Sequence, residues 1–299
     1  MVPPHVFEVS ERSLRYARFE PLAGSLENTG FEEVSLPEEL FQEGPLGGPI
    51  RDREAFDRAL DELLSLAATE IGGGSLLLPD RWLRTIQIDA EGAGEVSSEQ
   101  EFLQWRLKKL VPFRVEDLRV RCLPEGVGRG DKLLVGFAVN QLLSELEEAF
   151  EERGIRLGLI TNRSLPMAGA LNRLAELRCI AVLDRGGYSL VFVESGRVVL
   201  VRYKALDPLR VDNGLETVVR RDLRITRSYL EEEFPYQPLS RSLVCGPPES
   251  DAIWTALLEN GLGVPSGRLG PADLRPASST GQPWHVMAPL LGAAGVELG

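Results

Sequence analysis

Hydrophobic and polar positions change period along this chain, and the changes outline its elements. Val6 to Val9 and Leu14 to Glu20 read as two strands joined by the polar turn Ser10-Glu11-Arg12-Ser13. Alternation puts Leu14, Tyr16 and Arg18 on one face and Arg15, Ala17 and Phe19 on the other. Phe31 to Leu36 is a candidate third strand, and the Pro- and Gly-rich run 37–49 reads as a loop. From Asp52 to Glu70 the period becomes helical, with Phe56, Leu60, Leu63, Leu64 and Ala67 on one stripe. Gly72 to Gly74 end that helix, and Ser75 to Leu78 is a short apolar strand.

The next block has its own rhythm. Arg84 to Asp89 alternates like a strand. Ser98 and Glu101 have capping-box spacing for a helix that Val111-Pro112-Phe113 stops. Leu118 to Leu123 and Lys132 to Val139 read as a hairpin around Gly126 to Gly130. A second helix carries Leu142, Leu146, Ala149 and Phe150 inward, with Gly154 at its end, and Ile155 to Ile160 is a strand. Residues 79–160 therefore read as a small α+β subdomain inserted into a larger core.

Beyond the insert, Ser164 caps an expected helix through Leu171, Leu174 and Leu177. Cys179 to Asp184, Tyr188 to Val193 and Val198 to Lys204 read as strands linked by tight turns. Glu216 to Phe234 is an amphipathic helix, Ser242 to Cys245 a strand, and Asp251 to Asn260 a helix ended by Gly261. The run 270–283 reads as a loop and Trp284 to Gly295 as a helix of small residues. The expected fold class is α/β with two lobes. The first spans 1–78, completed by 161–178 and 282–299; the second spans 179–281.

Composition narrows the function. The chain has 299 residues, 43% hydrophobic and 26% charged, which suits a folded α/β protein. A net charge of −12 argues against nucleic acid or an anionic membrane as the main partner, although it leaves room for a local basic patch. Cys122, Cys179 and Cys245 are far apart, as are His5 and His285, so no zinc spacing exists; the cysteines read as reduced core residues. The apolar runs 133–139 and 286–296 fall short of the ~20 residues that cross a bilayer. The expectation is a soluble, cytoplasmic protein.

One pattern carries chemistry. A strand ends in Glu8, turns and returns; another ends in Asp184, turns and returns. Paired turns of this kind face each other in two-lobed phosphate-handling folds, where the acids hold hydrated magnesium and glycine amides cradle phosphate. Two ordinary hairpins with acids capping their turns would give the same spacing.

The chain resembles the PilM family of type IV pilus assembly proteins over nearly its whole length. Phe7 to Arg15 is similar to the family's first phosphate motif. Leu110-Val-Pro-Phe-Arg-Val-Glu-Asp-Leu118 resembles its helix-ending Tyr-Ile-Pro-Phe-type turn. Leu183-Asp-Arg-Gly-Gly-Tyr-Ser189 resembles its second phosphate motif, and Val244-Cys-Gly246 its adenosine motif. The resemblance implies an actin-like (ribonuclease H-like) fold with an inserted subdomain. It implies ATP and magnesium as the cofactors to test, with Glu8, Ser10, Arg15, Asp184, Gly186, Ser189 and Gly246 as the nucleotide positions and Glu8 and Asp184 facing the metal. It also implies a partner: the N-terminal cytoplasmic peptide of a PilN-like single-span protein, held in a groove between core and insert. Such binding would place the chain peripherally at the inner membrane, with PilO-like and motor ATPase components nearby. Leu83, Ile86, Ile88, Leu133, Val135 and Phe137 are the candidate groove residues.

The sequence departs from that pattern. Ser10 replaces a glycine, Glu11 puts a negative charge where phosphate would lie, Arg15 stands at the family's lysine, and Pro247-Pro248 follow Gly246. Only residues 205–241 remain for the nucleotide-facing part of the second lobe, room for one helix. These departures read as a pseudo-ATPase scaffold with a degenerate nucleotide site. The alternatives are a true actin-like ATPase whose nucleotide state gates partner binding, and the cytoplasmic actin-like module of a GspL-like type II secretion platform. Gly126 to Lys132 lacks phosphate-loop spacing and reads as a hairpin tip. Arg106, Lys108, Lys109 and Arg114 read as a solvated helix face, and Trp105 and Phe113 as subdomain core.

Overall fold

The computed structural model describes residues 5–22, 25–90, 99–123, 132–206, 214–278 and 281–295. In the first lobe, β1 (His5–Val9), β2 (Ser13–Leu22) and β3 (Ser25–Ser35) form an antiparallel meander. After α1 (Arg53–Ala67) comes β4 (Gly73–Leu78), parallel to β1. The second lobe repeats this plan. Its β9 (Leu177–Asp184), β10 (Gly187–Glu194) and β11 (Arg197–Ala205) are a meander, and α5 (Leu215–Glu233) leads to β12 (Leu239–Cys245), parallel to β9. Each sheet then gains a further parallel strand after a helix. In the first lobe α3 (Asn140–Glu151) leads to β8 (Arg156–Asn162) beside β4. In the second, α6 (Asp251–Leu262) leads to β13 (Ser266–Arg268) beside β12. The strand orders are β3-β2-β1-β4-β8 and β11-β10-β9-β12-β13, with β14 (Ala277–Ser278) added to the outer edge of β3. The repeated strand–acid–turn read from sequence is thus the start of a duplication that covers both lobes.

The central strands β1, β4, β9, β10 and β12 are buried on both faces, which explains their nearly continuous apolar runs, whereas the outer strands β3 and β13 are partly exposed. Phe7, Val9, Leu76 and Leu78 face α1 and α3 on the outside of the first lobe. Cys179, Ala181 and Val244 face α5 and α6 on the outside of the second. Between the lobes, Val6, Leu77, Ile180, Val182 and Leu243 pack around α4 (Met167–Ala170) and α7 (Trp284–Ala294). Because the strand period is two, Glu8 follows Val6, and Asp184 follows Ile180 and Val182, onto this shared inner face. Alternation alone therefore aims both acids at the space between the lobes.

The inserted unit is smaller than 79–160. It consists of β5 (Leu83–Asp89), α2 (Glu99–Leu110), β6 (Leu118–Cys122) and β7 (Lys132–Val139), a three-stranded sheet in the order β5-β7-β6 with α2 on one face. Both α3 and β8 belong to the first lobe: Leu142, Leu146 and Phe150 pack with Phe7 and Phe56, and β8 pairs with β4. The insert also leans on the second lobe. Lys132 Nζ reaches Glu233 at 2.8 Å and the Tyr229 hydroxyl at 3.1 Å.

Two further expectations are corrected. The helix begun near Ser164 ends at Ala170, because Leu171 turns extended, bridges Leu274, and passes to Asn172, whose amide bonds the Asp273 carbonyl at 3.0 Å. Gly261 lies within α6 instead of ending it, and Gly263, at φ 73°, supplies the left-handed cap. The expected cap Ser98 and the hairpin tip 126–130 lie outside the described residues. No helix among the described residues is long and apolar enough to cross a membrane.

Candidate functional site

The carboxyl ends of parallel strands β1, β4 and β8 in the first lobe meet the end of β9 in the second. Such strand ends are where open α/β sheets place polar groups and ligands. Glu8 comes from β1, Asp80 follows β4, Arg163 and Ser164 follow β8, and Asp184 closes β9. Glu8 is 1% exposed, Asp80 3% and Arg163 9%, so their charges must be met by protein.

Arg163 does most of this. Its Nε lies 3.5 Å from Glu8 Oε1 and its Nη1 3.8 Å from Asp184 Oδ1, while Nη2 donates to the His285 carbonyl at 3.2 Å. Burial works against the guanidinium's charge, but Glu8 and Asp184 outweigh it and raise its pKa above the ordinary value. Arg15, paired with Glu8 across the β1–β2 register, adds a charge-assisted bond of 2.8 Å to Glu8 Oε1 and a second of 2.9 Å to Glu33. Asp80 accepts from the Ser164 hydroxyl. Burial pushes its pKa up to about 7; the Ser164 bond opposes this and the Asp184 charge adds to it. His285 is pushed down to about 4 by burial and by Arg163, so it is neutral near pH 7.

The turns are closed. Ser10 Oγ accepts the backbone N–H of Ser13 at 3.0 Å and of Arg12 at 3.3 Å, so two amides of the first turn are spent inside it. Asp184 Oδ1 accepts the Arg185 N–H at 2.8 Å, the local cap the sequence allowed for. Gly186 has φ 75° and its carbonyl accepts the Leu206 N–H at 2.9 Å. Ser189 is 1% exposed. At Gly246 a Cβ would stand 2.5 Å from Leu183, so this glycine lets the end of β12 press against β9.

Of the positions expected to face nucleotide, the structure joins Glu8, Arg15 and Asp184 in one charged network. Ser10 and Gly186 form the two turns, and Ser189 and Gly246 are buried in or beside the second sheet. Sequence reasoning missed Arg163 and Asp80. The available signal was a charged residue just past each of two apolar parallel strands.

The candidate groove residues stand elsewhere. Ile88, Val135 and Phe137 are buried with Phe102, Leu103 and Leu107 of α2, and Ile86 and Leu133 pack partly buried against the same core. Leu83 is buried in the first lobe. These are core positions, because α2 covers the face that would have formed a groove. Open space lies instead beside the first turn and the loop 38–44: a cavity of about 570 Å3 is lined by Glu11, Arg12, Arg81 and Arg185 with Glu38, Glu39 and Glu43, and the apolar Leu40, Phe41 and Trp82 in its wall are largely buried. Trp105, expected in the core, is 49% exposed with Lys109 Nζ 3.7 Å from its ring centroid, whereas Phe113 is half-buried against the subdomain core.

Among solved structures, the chain aligns with the PilM-PilN type IV pilus biogenesis complex at a TM-score of 0.68. The identity is 17%, with 98% of this chain and 96% of that one covered. A protein of unknown function with an actin-like ATPase fold from Bacteroides thetaiotaomicron matches at 0.55 and 12% identity, covering 96% of each chain. The fold is actin-like. The cytoplasmic domain of EpsL, an inner-membrane component of the type II secretion system of Vibrio cholerae, shares this actin-like fold at a TM-score of 0.53 and 14% identity, over 97% of this chain and 93% of that one. No family model and no curated protein matches the chain.

In actin-like proteins the space between two such turns is where magnesium and phosphate would be sought. The residues here fit them only in part: Glu8 Oε2, Asp80 Oδ2 and Asp184 Oδ2 are buried without a hydrogen-bond partner, but an arginine occupies the space between the acids. Arg163 and Arg15 already balance Glu8 and Asp184, and Arg163 lies between those two acids. Asp80, with its pKa near 7, adds only part of a charge at neutral pH. Among the described residues no group of three or more His, Cys, Asp or Glu is arranged to hold a metal ion.

Proposed function

We propose that this chain is a cytoplasmic scaffold of a type IV pilus or related secretion machine. It binds the N-terminal cytoplasmic tail of a PilN-like single-span inner-membrane protein and works without nucleotide. The observation that carries the reading is Arg163, a buried cation from the first lobe set between Glu8 and the second lobe's Asp184. An internal arginine in that place supplies the positive charge that a metal ion would otherwise bring to the two acids. The end-to-end likeness to the PilM-PilN complex supports the choice of partner class. We place the tail in the cavity beside the first turn, where Glu38, Glu39, Glu43, Arg12 and Arg81 offer charged and polar contacts to a peptide and the apolar Leu40, Phe41 and Trp82 lie largely buried behind them. The tail would hold the chain at the inner membrane, beside PilO-like and motor ATPase components. The likeness to EpsL favours a second reading, a GspL-like module of a secretion platform, which keeps the scaffold role and changes the machine.

Melting in the presence of MgATP tests the nucleotide-independent part. The expected melting temperature equals that in EDTA. A substantial rise with MgATP that Asp184→Asn abolishes contradicts the proposal and restores the gated ATPase.

A further inference from the structure

The outward side of α2 brings large apolar side chains and cations together in the open. Its inward stripe, Phe102, Leu103 and Leu107, is buried against the sheet of the insert. Away from that stripe, Trp105 is 49% exposed and Leu110 52%. Lys108, Lys109 and Arg114 are exposed on the same stretch. From Phe102 to Arg114 the sequence holds four cations and no acid, in a chain whose net charge is −12. Glu101 bounds that run on one side. On the other, Glu116 and Asp117 are held by Lys108 at 3.4 Å and Arg114 at 3.6 Å. Lys109 has no ion-pair partner among the described residues and lies instead over the indole of Trp105, its Nζ 3.7 Å from the ring centroid.

Helix stability accounts for only part of this. Lys108 and Lys109 in the last turn suit the negative end of the α2 dipole. Nothing in the fold calls for Trp105 and Leu110, which leave about half of their surface in water next to one another on the helix end. An indole with a lysine laid across it is an apolar body with a charged rim. That arrangement suits the headgroup zone of a bilayer, where the ring meets the acyl boundary and the ammonium reaches back to phosphate. A second copy of this chain is a poor occupant. Two such patches set about a two-fold axis oppose like charges, and two apolar side chains fall far short of the roughly 800 Å2 per partner that a stable interface buries. An anionic lipid surface matches both the cations and the apolar pair. The acidic balance of the whole chain does not forbid the contact, because salt screens charges beyond about 8–10 Å and a surface touching α2 responds chiefly to the charges beside it.

We propose that the outer side of α2 docks on an anionic membrane surface, with Trp105 and Leu110 entering the interfacial zone and Lys108, Lys109 and Arg114 meeting lipid phosphates. The contact is peripheral: α2 keeps its inner stripe on the core of the insert and is not long and apolar enough to cross the bilayer. It rests on α2 alone, and protein-free vesicles test it, so its failure leaves the tail-binding reading standing.

The test is co-sedimentation of the full chain with vesicles of phosphatidylglycerol and phosphatidylcholine, and with vesicles of phosphatidylcholine alone, over a range of sodium chloride. The expected result is binding to the anionic vesicles that falls as salt rises, and little binding to the neutral ones. Tryptophan emission gives a second readout. Trp82 and Trp254 are buried and Trp284 is partly buried, so a blue shift on binding reports Trp105 entering lipid. Lys108→Gln combined with Lys109→Gln should weaken partitioning about thirtyfold, ~fivefold for each cation removed near the surface. Trp105→Gln should weaken it too and abolish the blue shift. All three positions are exposed, so both variants should keep the parent's melting temperature. No binding to the anionic vesicles overturns the proposal. So does equal binding to both kinds of vesicle, binding unaltered in the lysine variant, or a blue shift that persists in Trp105→Gln.

Discussion

Arg163 carries its charge where water barely reaches, and its partners arrive on separate strands from both lobes. Removing it leaves Glu8 buried with Arg15 alone and Asp184 without its cross-lobe cation. Arg163→Met should therefore cost about 3–5 kcal/mol in urea unfolding, the range for breaking a buried pair from one side; a loss within the range of a surface substitution would contradict its role. Asp80 makes a pH-dependent prediction. Its folded pKa of about 7 lies above the 3.8 of the free side chain, so between those values the folded state binds more protons than the unfolded state. Its contribution is most favourable at low pH and is lost as pH rises through about 7. Asp80→Asn should thus become more stable relative to the parent protein between pH 5 and pH 8, as read from urea midpoints. A constant difference across that range would show that Asp80 is ionised throughout. Glu8 and Asp184 were legible in the sequence because each ends an apolar strand. Arg163 was not, because nothing local to Asn162-Arg163-Ser164 says that carboxylates from β1 and β9 converge on it.

At the scale of elements, local patterns located strands and helices well where apolar periodicity ran into a strong stop. The helix 53–67 begins at Asp52, whose side chain accepts the Ala55 N–H at 3.0 Å, and α2 ends before Pro112 as its sequence requires. Assignments failed where a distant contact overruled the pattern. Leu171 and Leu174 continue a helical spacing, yet Leu171 is drawn into a bridge with Leu274, and Leu174 is left exposed. Gly261 resembles a helix stop, but it is the point where α6 meets α5: a Cβ there would stand 2.6 Å from the buried Leu223 side chain. Gly261→Ala should therefore lower stability by about 1–3 kcal/mol despite the better helix propensity of alanine, because it overpacks the helix–helix contact. A gain in stability by thermal or urea unfolding would mean that α5 and α6 are loosely packed.

Over the whole molecule, the duplication was visible in the sequence only at the two acid-tipped hairpins; the matching strand orders lie in pairings between distant segments. The same non-locality misplaced the insert. Its sequence reads as one run from 79 to 160, but α3 and β8 return to the first lobe because the edge of β4 and the apolar face above it need covering. Among the described residues, α5 is the one helix between β11 and β12. The groove residues were misjudged because an apolar strand face looks the same whether a partner's tail or the chain's own α2 covers it. What results is a two-lobed frame whose central acids pair with Arg163 and Arg15 and whose open cavities lie beside the two turns. The most direct test of the scaffold account is titration of the chain with the N-terminal cytoplasmic tail peptide of a PilN-like single-span protein from the same genome, in EDTA and again in MgATP. The account predicts saturable binding with the same affinity in both. No binding in either buffer, or binding that appears only with MgATP, would contradict it.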